Sequence, residues 1–276
     1  MKIKILGTAA AEGFPAMFCE CDTCRKARRL GGRNIRTRSG AVIDEKLLID
    51  FGPDTLHHTI YNGLDLTKVT DLLITHSHRD HLYPLDFENR KDGYCVMKNK
   101  KPLNIYGTVA SINEIKGIYK GNTGVEKELK LNVIEPFKTY KIGEYTVIPL
   151  KANHSPKTDP VIYIIQKSGK TFLYSTDTGC YFPETVDFLK NWAGYVDAIA
   201  IDCTAILLKN WREHHMGLDT DIEQIEQLKS VGIMDENTKV FLHHFSHNGG
   251  AVYDDLVPIA AKYGFFVAYD GMEINL

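Results

Sequence analysis

Short apolar runs, bounded by glycine, proline and charged breaks, recur along the whole chain. The first are "IKIL" (3–6), "GAVI" (40–43) and "KLLID" (46–50), the last two around the turn "DEK". Runs of this length, rich in Val, Ile and Leu, read as strands. The same pattern recurs at "DLLIT" (71–75), "PLNIYG" (102–107), "LKLNVIEPF" (129–137) and "YTVIPLKA" (145–152). A longer stretch, "VIYIIQKSGKTFLYSTD" (161–177), reads as a hairpin turning on Ser168–Gly169. "VDAIAID" (196–202), "KVFLHH" (239–244), "FFVAYDG" (265–271) and "MEINL" (272–276) complete the strand set. Helices are predicted over 53–63, from Pro53 to Gly63, and over 108–120, capped by Thr108. Three more fall at 183–192, 219–230 and 252–264. Strands gather in two halves, with helices after or between them. This order predicts an α/β fold, a four-layer αββα sandwich, as one domain spanning 1–276.

Composition narrows the function classes. Hydrophobic residues are 43 % and charged residues 25 %, and 33 Lys plus Arg face 35 Asp plus Glu, a formal charge of −2. That balance gives no general pull toward nucleic acid or anionic lipid. No apolar run approaches the ~18 residues of a membrane span. "MKIKILGTAA" flows into "AEGFPAMF" without a cleavage site and reads as a first strand, not a signal peptide. The expected setting is a reducing cytoplasm. The expected partner is a small molecule, with no membrane or nucleic-acid partner. A homodimer is left open.

Three of the six cysteines, Cys19, Cys21 and Cys24, fall within "CECDTC". In a reducing cell such a cluster more often binds metal than forms disulfides. A second metal pattern is "THSHRDH", directly after the strand "DLLI". His76 and His78 point the same way on extended backbone, because side chains alternate with period two. A turn near Asp80 would aim Asp80 and His81 at a second point, so one loop can grip two ions. Imidazole and carboxylate suit zinc, manganese or iron(II). A lone His is more often a satisfied surface or core residue. Here, however, His154, Asp177 and His244 each stand just past an apolar run, as His76 does.

H-x-H-x-D-H followed by isolated His, Asp and His resembles the metallo-β-lactamase superfamily. Across nearly the whole chain the sequence is similar to one branch, the PhnP-type cyclic phosphodiesterases. The matching pieces include "GTAAAEGFPAMFCECDTCRKARR", "LLIDFGPD", "LLITHSHRDHLYPL", "LKANHS", "YSTDTG", "AIDCT", "HHFSH" and "YDGMEI". The resemblance implies that His76, His78 and His154 hold one ion, that Asp80, His81 and His244 hold the other, and that Asp177 bridges them. It implies two active-site divalent ions, Zn or Mn, and hydrolysis of a cyclic or small phosphodiester by a hydroxide held between them, oriented by Asp80. Asp50 is a candidate acceptor for a ligand His N–H, or else a strand-end turn residue. His215, rather than His214, fits the superfamily's phosphate-contacting or leaving-group His. His244, rather than His243, fits its last ligand. The resemblance also implies a third, structural zinc at Cys19, Cys21, Cys24 and His247, in an N-terminal loop at about 19–24. His57 and His58 read as solvated, and Cys95, Cys180 and Cys203 as small buried apolar residues.

Three stretches depart from the branch pattern: 86–102, 155–160 and 204–214, the last carrying Trp211. All three are candidates to line the substrate cleft. The alternatives are a non-hydrolytic carrier like the PqqB-type proteins and a tRNA 3′-processing-type nuclease. The latter should carry a basic arm that this chain lacks.

Overall fold

A computed structural model describes all residues Met1–Leu276. The first half holds β1 (Lys2–Gly7), α1 (Asp22–Leu30), β2 (Gly40–Ile43), β3 (Leu47–Ile49), α2 (Thr55–Tyr61), β4 (Asp71–Leu73), β5 (Leu103–Gly107), α3 (Val109–Tyr119), α4 (Thr123–Glu126) and β6 (Leu129–Val133). The second holds β7 (Tyr140–Ile142), β8 (Tyr145–Lys151), β9 (Val161–Lys167), β10 (Lys170–Ser175), α5 (Pro183–Asn191), β11 (Ala198–Asp202), α6 (Leu218–Ser230), β12 (Lys239–His243), α7 (Tyr253–Ala260), β13 (Phe266–Val267) and β14 (Glu273–Asn275). The strands form two seven-stranded sheets, ordered β14-β1-β2-β3-β4-β5-β6 and β13-β12-β11-β10-β9-β8-β7. The first sheet is antiparallel across β14-β1-β2-β3 and parallel across β3–β6, and the second is antiparallel across β7–β10 and parallel across β10–β13.

Period-two alternation makes the layers. Along β9, Val161, Tyr163 and Ile165 face inward and join Ile3, Ile43 and Leu73 of the other sheet. The intervening Ile162 and Ile164 pack outward with Ile225 and Leu228 of α6. On the first sheet, Leu48, Leu72 and Ile105 meet Ile112 and Ile115 of α3. A one-residue slip would exchange these faces, so the register is strongly specified. The result is the expected αββα sandwich.

Local differences have local causes. The run 129–137 is a strand only to Val133, because Pro136 follows and Phe137 takes a left-handed φ of 65°. The helix predicted over 252–264 ends at Ala260 and continues as a 3₁₀ turn. The strand predicted over 265–271 forms only at Phe266–Val267. The cysteine segment is not wholly a loop, because α1 starts at Asp22 and takes Cys24 into its first turn. His58 is not solvated. It is buried, its Nε2 lies 2.9 Å from Thr37 Oγ1, and burial pushes its pKa down to about 4. His57 is exposed. Of the three single thiols, Cys203 is buried, whereas Cys95 and Cys180 are only partly so. No helix is long and apolar enough to cross a membrane.

Candidate metal centre

Strands β8, β10, β11 and β12 all run toward one edge of their sheet. Ser175 pairs with Ile201, and Asp202 with His243. Asp177, Asp202 and His244 therefore emerge side by side, and His154 follows β8 onto the same edge. From the first sheet, the loop after β4 delivers His76, His78, Asp80 and His81. Gly52 lets this loop pass, since a Cβ there would sit 2.0 Å from the Asp80 carbonyl oxygen.

The donors converge in two groups. His76, His78, His154 and Asp177 have ligand atoms within 4.8 Å of one another, and so do Asp80, His81, Asp177 and His244. Asp177 belongs to both. His78 Nδ1 lies 2.9 Å from His76 Nε2 and 3.0 Å from His154 Nε2. In the second group, His81 Nε2 lies 3.1 Å from Asp177 Oδ2, 3.2 Å from Asp80 Oδ2 and 3.3 Å from His244 Nε2.

The outer ring nitrogens fix which atom faces inward. His81 Nδ1–H donates to Asp50 (2.7 Å), His154 Nδ1–H to the His214 carbonyl (3.0 Å), and His244 Nδ1–H to Thr204 Oγ1 (2.8 Å). His76 Nδ1–H donates to Thr75 Oγ1 at 3.1 Å. Each of these rings keeps its Nε2 lone pair for the interior. Lone pairs packed this closely repel one another unless a cation sits among them. Asp177 Oδ1 is also buried without a hydrogen bond. Burial opposes the charge of Asp177, but His244 and His76 hold its carboxyl well below the usual range. For Asp80 burial likewise opposes, and His81 outweighs it. A buried, acceptor-only set of imidazoles and carboxylates is what divalent cations require.

The cysteine cluster has the same logic in softer donors. Cys19, Cys21, Cys24 and His247 have ligand atoms within 4.8 Å of one another. Zn–S bonds of ~2.3 Å would put tetrahedral donors roughly 3.8 Å apart. His247 Nδ1 lies 3.6 Å from Cys19 Sγ and 3.4 Å from Cys21 Sγ. Backbone N–H groups of Cys21, Cys24 and Ala16 each donate, at 3.4 Å, to Cys19, Cys21 and Cys24 Sγ respectively. Burial opposes the Cys21 thiolate, yet the Cys24 N–H and His247 bring its pKa down to about 6. Burial and the neighbouring thiols push Cys24 up to about 12. Holding all three sulfurs as thiolates would therefore take a cation among them.

The family profile described as Beta-lactamase superfamily domain matches residues 45–245, the span holding every donor of the histidine–aspartate cleft. The chain belongs to the metallo-β-lactamase superfamily. Coenzyme PQQ synthesis protein B of Methylobacterium radiotolerans is 23 % identical over 316 residues, covering 100 % of both chains. Among solved structures, a new diphosphatase from the PhnP family superposes with a TM-score of 0.76 at 18 % identity, over 100 % of this chain and 97 % of that one. Zn(2+)-bound PqqB from Methylobacterium extorquens gives 0.73 at 19 %, over 100 % of both. At such identities the structural likeness speaks for the fold alone. Members of this superfamily are mostly metal-dependent hydrolases.

Within this superfamily member, the cleft over the donors has a volume of about 360 Å³. Of the three divergent stretches, only 204–214 lines it, through Thr204, Ala205, Leu208 and Trp211. The expectation fails for 155–160, which stays outside it, and for 86–102. The latter folds as a 3₁₀ stretch (Pro84–Arg90) and lines a separate apolar pocket beside Phe51 and Leu56. Phe87 stacks on Phe51 at 4.5 Å and draws the segment there. His215 reaches the cleft and His214 does not line it. Asp50 accepts from His81 and Thr75 and is no mere turn residue. His243 is buried with both ring nitrogens unpartnered, turned away from the donors that His244 joins.

Sequence reading missed Asp202. It is fully buried and accepts from the N–H groups of Asp177, Thr204 and Met216 at 3.0, 3.1 and 3.0 Å. Its Oδ2 stands 3.3 Å from His215 Nδ1. Burial works against protonated His215, but Asp202 and Asp177 raise its pKa to about 9. The signal was present: Asp202 ends the apolar run "VDAIAID", the position from which Asp177 and His244 were recognised.

Proposed function

We propose that the protein is a metal-dependent hydrolase of a small phosphodiester. The observation that carries this reading is the complete pair of donor groups sharing Asp177, with His215 at their edge. Two divalent cations, Zn or Mn, held by His76, His78, His154, Asp80, His81, His244 and the shared Asp177, would supply Lewis acidity and a water of lowered pKa. The chain's own residues do the rest. Asp80 and Asp177 present carboxylate oxygens to the centre, where they orient a water for in-line attack. His215, kept protonated by Asp202, donates a proton to the departing oxygen or a hydrogen bond to the phosphoryl group. Asp50, Thr204 and the His214 carbonyl hold the imidazoles in register. The clustered thiols with His247 would bind a third, structural zinc. Their being unpaired fits a reducing cytoplasm.

No Lys or Arg lines the cleft. A nucleic-acid backbone needs several such contacts, so a small diester fits better than the tRNA-processing alternative. The non-hydrolytic carrier reading draws on the full-length similarity to PQQ synthesis protein B. Bis(p-nitrophenyl) phosphate and ribose 1,2-cyclic phosphate decide between the two. Hydrolysis abolished by chelation and restored by Mn²⁺ or Zn²⁺ supports the proposal. A metal-replete protein inert on cyclic and linear diesters overturns it in favour of the carrier.

A further inference from the structure

Trp211 is one of two tryptophans, and the two are placed differently. Trp192 packs against the outer core of the second sheet. Trp211 is 47 % exposed and lines the cleft alongside His78, His154 and His215. An indole left half in water above a metal centre gives up burial that a smaller or polar residue would not forfeit. Its loop is not a loose tip. Thr220 Oγ1 donates to the Trp211 carbonyl at 2.9 Å, and the Cys180 N–H donates to the Arg212 carbonyl at 2.9 Å. The Asn210 N–H donates to Asp219 at 3.0 Å, and Arg212 pairs with Glu223 at 2.6 Å. The backbone on both sides of the ring is thus pinned while the ring stays open.

The rest of the cleft limits what can lie on that ring. With no Lys or Arg in the lining, the cations the donors would hold and the imidazole of His215 are the only groups there to meet a phosphate. This suits a single phosphoryl group. Leu208, 41 % exposed, extends the apolar surface on the same loop. Elsewhere on the rim, Glu12 accepts a hydrogen bond from Ser246 Oγ, leaving carboxylate capacity for a substrate hydroxyl.

We propose that Trp211 is a fixed stacking platform selecting phosphodiesters with one phosphate and one planar aromatic group, such as a nucleobase. This inference rests on the phosphodiesterase reading above. Stacking on a protein aromatic is sequence-tolerant and needs only a flat π face. The loop that carries it departs from the PhnP-type pattern, so the selectivity would be a property of this chain.

The test compares a nucleoside 2′,3′-cyclic phosphate with the methyl riboside 2′,3′-cyclic phosphate, which lacks the base. The ratio of the two kcat/KM values should fall about 10- to 100-fold in Trp211→Ala, mainly through KM. Trp211→Phe, which keeps a π face, should retain most of it. An independent readout uses Trp192→Phe protein, whose remaining indole is Trp211. A nucleoside monophosphate should quench its fluorescence and ribose 5-phosphate should not. An unchanged ratio in Trp211→Ala, or equal quenching by both ligands, overturns the platform while the diesterase reading stands. Absence of any hydrolysis sinks the diesterase reading, and quenching then still decides whether Trp211 stacks.

Discussion

His81 is wholly buried, and its ring is fixed from behind by Asp50, itself almost completely enclosed. Cys21 is exposed, and the Cys24 N–H and His247 are its main partners. Both belong to clusters that can hold cations, but the clusters are built differently. The histidine–aspartate cleft inherits its geometry from strand register, so each donor is placed by the whole sandwich. The cysteine cluster is placed by one tight turn and one distant histidine. Removing a donor from the cleft should abolish chemistry while the sheets stay folded, though less firmly docked for want of the cation. Removing one from the cysteine cluster should leave chemistry largely intact and loosen the scaffold.

The most severe test of this contrast is Asp177→Ala. It removes the oxygen donor common to both groups, so both cleft ions should be lost and turnover fall to background. The thiol-bound zinc should remain, as elemental analysis would show. Retention of cleft metal would break the bridging assignment. Next comes His215→Ala, which should keep all metal and lose ~10²–10⁴-fold in rate. His214→Ala is its control, and equal rates for the two variants would return His215 to a structural role. A milder effect is expected from Asp50→Ala, which strips the partner from His81 Nδ1. Loss of such a partner usually costs ~10–100-fold in metal affinity or activity, so a metal titration should weaken selectively. The smallest effect on rate should come from Cys21→Ala. One zinc should disappear and Tm should drop by roughly 5 °C or more, with turnover within several-fold of the parent. A variant as stable as the parent would show the cluster to be dispensable.

The sandwich and the cleft donors were legible because one rule served both. Apolar runs of period two made the strands, and a ligand type one step past such a run made the site. His76, Asp177 and His244 satisfy it, and so does Asp202, whose short side chain was passed over as a strand end. What stayed hidden depends on approach between distant segments. Glu12 enters the cleft because the N-terminal loop is stitched to the segment after β12, where the Phe245 N–H donates to Thr8 (2.8 Å) and the Ala10 N–H to Phe245 (3.0 Å). No local pattern encodes that pairing. The segment 86–102 lines a separate pocket instead of the cleft because Phe87 anchors on Phe51, a contact between segments that no local pattern announces. β7 was missed for its three-residue length.

The donors of the cleft come from both sheets: His76, His78, Asp80 and His81 from the first, His154, Asp177 and His244 from the second. Neither half alone offers a complete set for either ion. Bound cations would therefore act as rivets across the seam, seen only by the assembled pair of sheets. Mass action then ties assembly to supply, since an ion at 100 times its Kd adds about 2.7 kcal/mol to the docked state. A cell starved of that ion would hold a protein that is inactive and also more easily pried apart, and amide exchange at the facing strands would report it.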